Sequence, residues 1–476
     1  MLKGLKKTKI VCTLGPASEK EEVLRELINN GLNVCRLNFS HGSHEEHKAR
    51  MDTVKKIRKE LNTPIAILLD TKGPEIRTGN FDAPEVLLEE GHNFTITMKD
   101  VMGTKDICTV SYKGLAADVK PGDVILIDDG LVGLRVEEVK GEDIHCKVEN
   151  SGIVKNHKGV NVPGVSINLP ALTDKDISDI EFGISQDIDY IAASFVRKAA
   201  DVLAIREVLK KNNAEHILII SKIENQEGID NIDEIIEVSD GIMVARGDLG
   251  VEIPTEEVPI AQKMMIEKCN KAGKPVITAT QMLDSMMRNP RPTRAEVTDV
   301  ANAIHDGTDA IMLSGETAAG KYPVEAVKTM ASIAKRTEET LDYSEILRSK
   351  TMEDITVTNA ISLATCTTSS SLNASAIITF TSSGHTARMV SRFRPQCPII
   401  ATTQDEGVMR RLAITCGVYP VKISSIGNID EMIERSIAAC KEMNYLHSGD
   451  IAVITAGAPI GVQGTTNLIK VETIEG

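Results

Sequence analysis

The chain contains 476 residues, of which 42% are hydrophobic and 26% are charged, and its formal net charge at pH 7 is −14. This length predicts two to four domains of an ordinary globular protein, and the acidity argues against nucleic-acid binding, which needs a basic face. Nine scattered cysteines without metal-ligand spacing predict reduced thiols, and no run approaches the ~18 apolar residues of a membrane span, so we expect a cytoplasmic protein.

Eight short apolar runs have the composition of strands buried on both faces. In chain order they are Lys9–Leu14, Asn33–Asn38, Ile65–Asp70, Tyr190–Phe195, Ile217–Ile223, Gly241–Ala245, Pro275–Thr280 and Ala310–Ser314. Segments with helical periodicity lie between most of them, and eight strands alternating with helices predict a (β/α)₈ TIM barrel. A doubly wound open sheet is the alternative, but no G-x-G-x-x-G follows the first strand.

Two segments depart from the barrel pattern. From residue 71 to about 170 the helical period gives way to short alternating runs and turn signals, which predict a small all-β lid domain inserted on the catalytic face. After about Tyr343 a further helix and four strand-like runs predict a C-terminal open α/β domain. We therefore expect the barrel at 1–70 and 171–344, the insertion at 71–170 and a regulatory domain at 345–476.

Polar residues follow most of the predicted barrel strands, where the active sites of such barrels lie. They are Arg36, Asn38, Ser40, Asp70, Thr71, Lys222, Glu224, Asp248, Thr280, Ser314 and Glu316. Each has a structural alternative, such as an ion pair for Arg36, a helix cap for Glu224 or Asp248, and a turn for Thr280. Convergence of most of them on one rim favours a functional site.

The residue types at this rim indicate phosphoryl transfer. Glu224 and Asp248 suit a hard divalent cation such as Mg²⁺, and Lys222 adds a fixed positive charge. Backbone N–H groups at the turn of Gly247 and Asp248 suit a carboxylate or phosphate. Arg36 and Arg77 add donors for a phosphoryl group.

Five stretches resemble the signatures of pyruvate kinase, and they occur in the same order along the chain. They are Asn38–Gly42, Leu69–Arg77, Lys222–Asn225, Ala245–Gly250 and Met312–Ala318. The resemblance covers all three predicted domains and is to the bacterial, K⁺-dependent type that lacks an extra C-terminal phosphotransfer-like domain. It implies a glycolytic enzyme that transfers phosphate from phosphoenolpyruvate to ADP, giving pyruvate and ATP.

The resemblance also implies roles for individual residues. Lys222, Thr280 and Arg36 are the implied catalytic residues; Arg36, Gly247, Asp248 and Thr280 bind substrate, and Arg77 and Lys158 contact the nucleotide. Glu224 and Asp248 ligate Mg²⁺, whereas Asn38, Ser40, Asp70 and Thr71 match the K⁺ ligands. Glu75 is typical of members that require K⁺, since members with a lysine there use its ammonium instead. Without the family, a solvated surface lysine beside His157 is the stronger interpretation of Lys158.

Two C-terminal segments have the composition of an anion site. Thr381, Ser382, Ser383, Gly384, His385 and Thr386 follow a strand and open a helix, and the late loop Ala456–Asn467 contains Gly457, Gly461, Gly464, Thr465 and Thr466. A helix cap plus a glycine-rich turn is the alternative. The resemblance favours a sugar-phosphate or nucleotide effector, whose identity stays open because the chain lacks the Trp that often marks fructose 1,6-bisphosphate activation. It also implies a homotetramer.

Two other functions remain as alternatives. A Mg²⁺-dependent aldolase or lyase on the same barrel needs the acids at Glu224 and Asp248 but neither a nucleotide lid nor K⁺ ligands. A catalytically silent metabolite sensor is expected to lose Lys222 or the metal acids, and all of them are present.

Overall fold

The computed structural model describes residues 5–350, 356–459 and 464–475 of the chain. None of the described helices combines the length and the apolar character that a membrane crossing requires. All nine cysteines are buried and unpaired, which agrees with the expectation of reduced thiols.

The chain begins with strands that are buried on both faces. All five residues of β1 and of β3 are buried, as expected for parallel strands covered by helices. A capping box formed by Ser43 and Glu46 starts the second helix. This first part consists of β1 (Lys9–Thr13), α1 (Glu21–Asn29), β2 (Val34–Asn38), α2 (His44–Glu60) and β3 (Ala66–Asp70).

The insertion that follows is built from short, mostly antiparallel strands around its own apolar core. Inward and outward side chains alternate in β10, for example, as the pleat of a half-buried strand requires. Its elements are β4 (Ile76–Arg77), β5 (Val86–Leu88), β6 (Asn93–Thr97), β7 (Ile107–Thr109), α3 (Leu115–Asp118), β8 (Val124–Ile127), β9 (Val132–Lys140), β10 (Asp143–Val148), β11 (Gly152–Val154) and β12 (Gly159–Asn161). Seven strands form one sheet in the order β4-β12-β8-β9-β10-β6-β7, and β5 pairs with β11.

The chain then returns to alternating helices and strands. These elements are α4 (Asp174–Ser185), β13 (Tyr190–Ala193), α5 (Ala199–Lys211), β14 (Leu218–Ile223), α6 (Gln226–Asp230), α7 (Ile232–Val238), β15 (Gly241–Ala245), α8 (Arg246–Glu252), α9 (Val258–Ala272), β16 (Val276–Ala279), α10 (Arg294–Asp306), β17 (Ala310–Leu313), α11 (Gly315–Ala318) and α12 (Pro323–Glu338). Eight parallel strands close into a barrel in the order β1-β17-β16-β15-β14-β13-β3-β2. The predicted (β/α)₈ barrel is confirmed, and the doubly wound sheet is wrong.

The C-terminal part is an open α/β unit, as predicted. It comprises α13 (Tyr343–Ser349), α14 (Val357–Ser371), β18 (Ala376–Phe380), α15 (His385–Ser391), β19 (Ile399–Thr403), α16 (Glu406–Arg411), β20 (Val418–Lys422), α17 (Ile429–Glu442), β21 (Ile451–Ala456) and β22 (Leu468–Thr473). The sheet order is β20-β19-β18-β21-β22, in which only the edge strand β22 runs antiparallel to its neighbour.

The C-terminal unit covers the N-terminal ends of the barrel strands. Ala413 and Ile414 are buried in one apolar cluster with inward-facing barrel residues such as Met243. Arg394 forms an ion pair with Asp309, directly before β17, at 2.9 Å. The opposite rim of the barrel therefore stays open toward the insertion.

Candidate active site

The C-terminal ends of the barrel strands face the insertion across a cleft of about 750 Å³. Asn225 and Asp248 line it from the barrel, and Arg77 and Lys158 line it from the insertion. Asn161 of β12 donates a hydrogen bond from Nδ2 to Oε1 of Glu252 at 2.7 Å, which joins the two walls. The cleft thus has the position at which barrel enzymes hold their substrates.

Lys222 near the end of β14 is the charged centre of this rim. Its Nζ lies 2.9 Å from Oε1 of Glu224 and 3.2 Å from Oδ1 of Asp70, and it donates a hydrogen bond to Oγ of Ser194 at 2.8 Å. Burial by itself would lower the pKa of Lys222, but the carboxylates of Asp70 and Glu224 outweigh it and raise that pKa above its ordinary value. Lys222 is therefore a fixed cation.

Glu224 is a buried carboxylate, and one of its two oxygens accepts no hydrogen bond of good geometry from the described part of the chain. Its Oε2 accepts a hydrogen bond from the backbone N–H of Phe195 at 2.6 Å, whereas Oε1 contacts Lys222 but accepts no hydrogen bond of good geometry among the described residues. Burial, reinforced by the charge of Asp248, raises the pKa of Glu224 to about 7. The helix-capping alternative is wrong for Glu224, because Asn225 caps α6.

Glu224 and Asp248 together fit a hard divalent cation. The described residues contain no cluster of three or more His, Cys, Asp or Glu side chains that could enclose a metal ion. Mg²⁺ does not need such a cage, since it is usually bound through one or two carboxylates and keeps its other positions for water and substrate oxygens. The structural feature that supports this fit is Oε1 of Glu224, which is buried and accepts no hydrogen bond of good geometry from the residues that the structure describes, although it lies 2.9 Å from Lys222 Nζ.

Gly247 and Thr280 meet at the ends of β15 and β16. The N–H of Gly247 donates a hydrogen bond to Oγ1 of Thr280 at 2.7 Å. Thr280 has a φ of 68°, which is unfavourable for a β-branched residue and indicates that its surroundings hold it in place.

Arg246 holds the backbone of Thr280 in this conformation. Its guanidinium forms two contacts with Asp299, at 2.7 and 2.8 Å, and donates to the backbone carbonyl of Thr280 at 2.7 Å. A bidentate arginine–carboxylate pair fixes the guanidinium in one plane. Arg246 therefore positions the loop that presents Thr280.

Arg36 lies beside the same carboxylate as Lys222. Its Nε forms an ion pair with Oδ2 of Asp70 at 2.6 Å, and Nη1 donates to Oγ1 of Thr13 at 2.8 Å. Burial tends to raise the pKa of Asp70, but Arg36 and Lys222 together lower it below its ordinary value. The structural alternative for Arg36, an ion pair, is thus present, and it orients the guanidinium within the rim.

The four oxygen-bearing residues predicted to bind a second cation lie at the ends of two neighbouring strands. Asn38 in β2 is directly opposite Asp70 in β3. The N–H of Ser40 donates to Oδ1 of Asn38 at 3.1 Å, and Oγ1 of Thr71 accepts from the N–H of Ser194 at 3.1 Å. The structure therefore brings the four residues that the sequence predicts as ligands of the second cation close together.

The residues predicted to contact nucleotide lie on the insertion. Arg77 forms an ion pair with Glu75 at 2.6 Å and donates to the carbonyl of His157 at 2.8 Å. Lys158 forms an ion pair with Asp128 at 3.0 Å and is one-third exposed, so it is not a freely solvated surface lysine. Arg77 and Gly159 pair across β4 and β12, which places both cations on one face of the cleft.

The two predicted effector segments also meet. Gly384 has a φ of 84° and donates from N–H to Oγ1 of Thr381 at 2.9 Å, forming a turn before α15. The hydroxyls of Thr386 and Thr466 are 3.0 Å apart, which joins this turn to the late loop. Gly461, also named from the sequence, lies outside the described residues.

Sequence reasoning missed three contributors to the site, namely Ser194, the backbone N–H of Phe195, and Arg246. Ser194 and Phe195 end the predicted run Tyr190–Phe195, so the strand-end rule contained the signal for them. Arg246 stands inside the quoted stretch Ala245–Gly250, but its partner Asp299 is more than fifty residues away.

Comparisons with known proteins agree on one family. The family model described as "Pyruvate kinase, barrel domain" matches residues 5–327, and the one described as "Pyruvate kinase, alpha/beta domain" matches residues 359–472. A pyruvate kinase of Clostridium acetobutylicum is 57% identical over 473 residues, which cover 99% of this chain and 100% of that protein. A pyruvate kinase of Geobacillus stearothermophilus is 56% identical over 472 residues, 98% of this chain and 80% of that protein. The crystal structure of a Cryptosporidium parvum pyruvate kinase superposes with a TM-score of 0.94 at 42% identity, covering 98% of this chain and 96% of that chain.

Proposed function

Because the chain belongs to the pyruvate kinase family and is therefore a phosphotransferase, we propose that its cleft holds phosphoenolpyruvate and ADP and releases pyruvate and ATP. The observation that carries the proposal is the cluster at the barrel rim in which the Lys222 ammonium lies 2.9 Å from Glu224 and 3.2 Å from Asp70. Phosphoryl transfer needs mainly positioning and neutralisation of the charge on the transferring oxygens, and this rim offers both.

Lys222 neutralises the phosphoryl group in flight and the enolate left behind. The bond from the enol oxygen to phosphorus breaks while an oxygen of the ADP β-phosphate forms a new bond to phosphorus. The enolate then takes a proton at its methylene carbon and becomes pyruvate. The raised pKa of Lys222, caused by Asp70 and Glu224 against the effect of burial, keeps the ammonium charged throughout.

Arg36, Gly247, Asp248 and Thr280 bind and orient phosphoenolpyruvate. Arg36 is held by Asp70 and Thr13 so that its guanidinium stays at the rim. The N–H of Gly247 and the hydroxyl of Thr280, 2.7 Å apart, suit the substrate carboxylate. The Thr280 hydroxyl also suits a water molecule that protonates the enolate.

Glu224 and Asp248 hold Mg²⁺, which when bound supplies positive charge to the oxygens of the transferring phosphoryl group. The missing hydrogen bond at Oε1 of Glu224 and the carboxylate charge of Asp248 support this assignment. The protein's own part is to keep both carboxylates oriented, through the Phe195 N–H on one side and the first turn of α8 on the other.

Asn38, Ser40, Asp70 and Thr71 hold K⁺. All four offer oxygen atoms at the ends of β2 and β3, and the enzyme accordingly depends on K⁺. Glu75 at the mouth of the cleft fits this dependence, because no ammonium stands in its position to replace the ion.

Arg77 and Lys158 contact the nucleotide phosphates. Both currently pair with carboxylates, Glu75 and Asp128, that a phosphate can displace. We therefore assign ADP to the insertion side of the cleft and phosphoenolpyruvate to the barrel side.

A phosphorylated effector, either a sugar phosphate or a nucleotide, binds the turn Thr381–Thr386 in the C-terminal unit. The turn's hydroxyls and its contact with the late loop through Thr386 and Thr466 support this assignment. Replacement of Ser383 by Asp should abolish activation by sugar phosphates without changing the basal rate; an unchanged activation curve would place the effector elsewhere.

Three further features remain proposals for this chain. We place the domain boundaries at 70/71, 170/171 and 344/345, following the change from barrel to insertion and to the C-terminal unit. A homotetramer follows from the family alone. A cytoplasmic location is supported by the nine unpaired cysteines.

Phosphorus NMR tests the reaction itself. The enzyme with phosphoenolpyruvate, ADP, Mg²⁺ and K⁺ should convert the phosphoenolpyruvate resonance into the γ-phosphate resonance of ATP. Release of inorganic phosphate without ATP would indicate hydrolysis instead of transfer to ADP, and an unchanged spectrum would favour the lyase or sensor alternative.

A further inference from the structure

A second cavity lies at the end of the barrel opposite the catalytic cleft. It has a volume of about 210 Å³ and is enclosed by the barrel base, the connecting helix α13 and the C-terminal unit. Lys7, Ile304, Tyr343, Ile346, Lys350 and Arg394 are among its lining residues, and no residue assigned above to substrate, cation or effector lines it. It is therefore separate from the sites already described.

Three cationic side chains face this cavity with incomplete partners. The Lys7 Nζ donates to the carbonyl of Pro395 at 2.9 Å and lies 3.7 Å from the centre of the Tyr343 ring, but forms no ion pair with a described residue. Lys350 likewise has no carboxylate partner in the described part of the chain. The Arg394 side chain is nine-tenths buried and its charge is paired with Asp309 at 2.9 Å, but its Nε has no hydrogen-bond partner among the residues described.

Two carboxylates line the cavity within the described part of the chain, and both accept hydrogen bonds. Glu338 accepts hydrogen bonds from the backbone N–H groups of Lys7 and Thr8, at 2.9 and 2.7 Å. Asp306 pairs with Lys263 at 3.3 Å and accepts from Gln262 at 3.2 Å. Among the described lining residues, Lys7 and Lys350 lack a carboxylate partner and Glu338 lacks a cationic one, so the unpaired charge of these residues is positive. A buried donor without a partner, such as Arg394 Nε, is costly unless it meets an acceptor.

Part of the remaining wall is apolar. Ile304, Leu341, Ile346 and the ring of Tyr343 line the cavity together with polar residues such as Asn270 and His305. The volume is below that of pockets for drug-sized ligands, which limits the occupant to a compact molecule.

We propose that this cavity is a second ligand site, which binds a compact organic anion with a carboxylate or phosphate group and a flat apolar part. The anionic oxygens accept from Lys7, Lys350 and Arg394, and the apolar part packs on Tyr343 and Ile346. Because the ligand touches the barrel base, α13 and the C-terminal unit at once, its binding fastens these parts to one another.

The lowered pKa of Lys7 agrees with this assignment. Burial lowers the pKa of Lys7 to about 8, since its ammonium is removed from water without a paired carboxylate. A bound anion would supply that missing charge.

Isothermal titration calorimetry on the full-length enzyme tests the site. Saturating phosphoenolpyruvate and Mg²⁺ without ADP occupy the catalytic cleft and prevent turnover. Benzoate and phenyl phosphate serve as carboxylate and phosphate probes, and benzamide is the neutral control. At least one anion should bind, and benzamide should bind at least about tenfold more weakly. The tighter anion identifies the preferred headgroup.

Three variants locate the binding. Lys350→Met removes a cation, and Ser349→Trp fills the cavity from α13; each should weaken anion binding about tenfold or more while leaving turnover unchanged. Ser344→Trp, an exposed change on the same helix that does not line the cavity, is the control and should bind like the unmodified enzyme. Equal binding of benzamide, absence of anion binding, or unchanged affinity in both cavity variants would overturn the proposal.

Discussion

Lys222 shows how one side chain keeps its charge in a buried position. An isolated buried ammonium tends to lose its proton, but Asp70 and Glu224 lie at 3.2 and 2.9 Å and reverse that effect. Arg36 shares Asp70 with Lys222, so two cations and two carboxylates form one group whose formal charges balance. This arrangement suits a substrate whose charge moves during the reaction.

Replacing Lys222 by methionine should lower kcat by roughly three orders of magnitude and change KM for phosphoenolpyruvate far less. The reason is that the ammonium interacts most strongly with the charge that develops in the transition state. Steady-state kinetics measure both constants, and Lys198→Met, an exposed lysine after β13, is the matched control. A variant that mainly lost affinity while keeping its turnover would rule out this role.

Replacing Glu75 by lysine should relieve the K⁺ requirement, raising the K⁺-free rate about tenfold or more. The new ammonium supplies a monovalent positive charge at the cleft, while Arg77 loses its carboxylate partner and KM for ADP is expected to change. A KCl titration measures the effect, and Glu75→Gln, which removes the carboxylate without adding a cation, should stay K⁺-dependent. Identical KCl curves for the lysine variant and the original enzyme would count against the ligand set.

At the scale of elements, the barrel strands were predictable because their sequences are nearly continuous apolar runs. Each predicted strand overlaps the observed one to within two residues at either end, for example Gly241–Ala245, which coincides with β15. Burial on both faces gives such runs, and the alternating helices then determine the closed topology.

Elements with weaker patterns were missed. The strands β4, β11 and β12 have only two or three residues each, too few to show a period of two. The edge strand β22 has no buried residue in its pattern, so it lacks the apolar signal of its neighbours. Helix α8 contains Gly247 and Gly250, whose low helix propensity hides a turn that the barrel rim imposes.

The candidate site likewise contains residues that local sequence predicts and contacts that it does not predict. Strand-end residues such as Lys222 and Glu224 follow from a rule that needs only local sequence. Contacts between distant positions do not: Ser194 meets Lys222 across neighbouring strands, and Arg246 meets Asp299 from another helix. Such pairs depend on the closed barrel, which no short stretch encodes.

The segment after α16 plugs the barrel base, so Ile414→Ala should destabilise the protein by about 2–4 kcal/mol. Ile414 is only 1% exposed and packs with inward-facing barrel residues, and truncation would leave a cavity there. Thermal unfolding measures the loss. Leu203→Ala, on the exposed face of α5, is the control with an expected change below about 1 kcal/mol; equal melting temperatures for the two variants would contradict the plug.

At the scale of the whole molecule, the two ends of the barrel have different tasks. The C-terminal ends carry the catalytic cleft, and the N-terminal ends carry the joint with the C-terminal unit through Arg394, Ile414 and Lys9. Deleting the residues beyond 345 would expose the inner apolar residues of the barrel. Truncation would therefore change the stability of the barrel as well as any response to an effector, whereas point variants can change one without the other.

Lys9 makes this joint sensitive to pH. Burial lowers the pKa of Lys9 from 10.5 to about 8, so between these values the unfolded chain binds more protons than the folded one. Stability contributed through Lys9 therefore rises with pH from about 8 to 10.5, by up to about 1.4 kcal/mol per pH unit. In Lys9→Met this contribution disappears.

The free energy of unfolding of the original enzyme minus that of Lys9→Met should accordingly increase from pH 8 to 10. Denaturant titrations at several pH values measure it, with Lys59→Met, an exposed lysine of α2, as the control whose difference stays flat. Parallel pH profiles for the original enzyme and Lys9→Met would show that burial does not lower the pKa of Lys9.

The central claim is that a fixed ammonium and a bound dication act together at one site. The most direct test measures pyruvate production from phosphoenolpyruvate and ADP, coupled to lactate dehydrogenase, while Mg²⁺ is titrated with and without K⁺. The original enzyme should require both ions, and Glu224→Gln should need at least about tenfold more Mg²⁺ for half-maximal rate. Full activity without either ion, or an unchanged Mg²⁺ midpoint in Glu224→Gln, would contradict it.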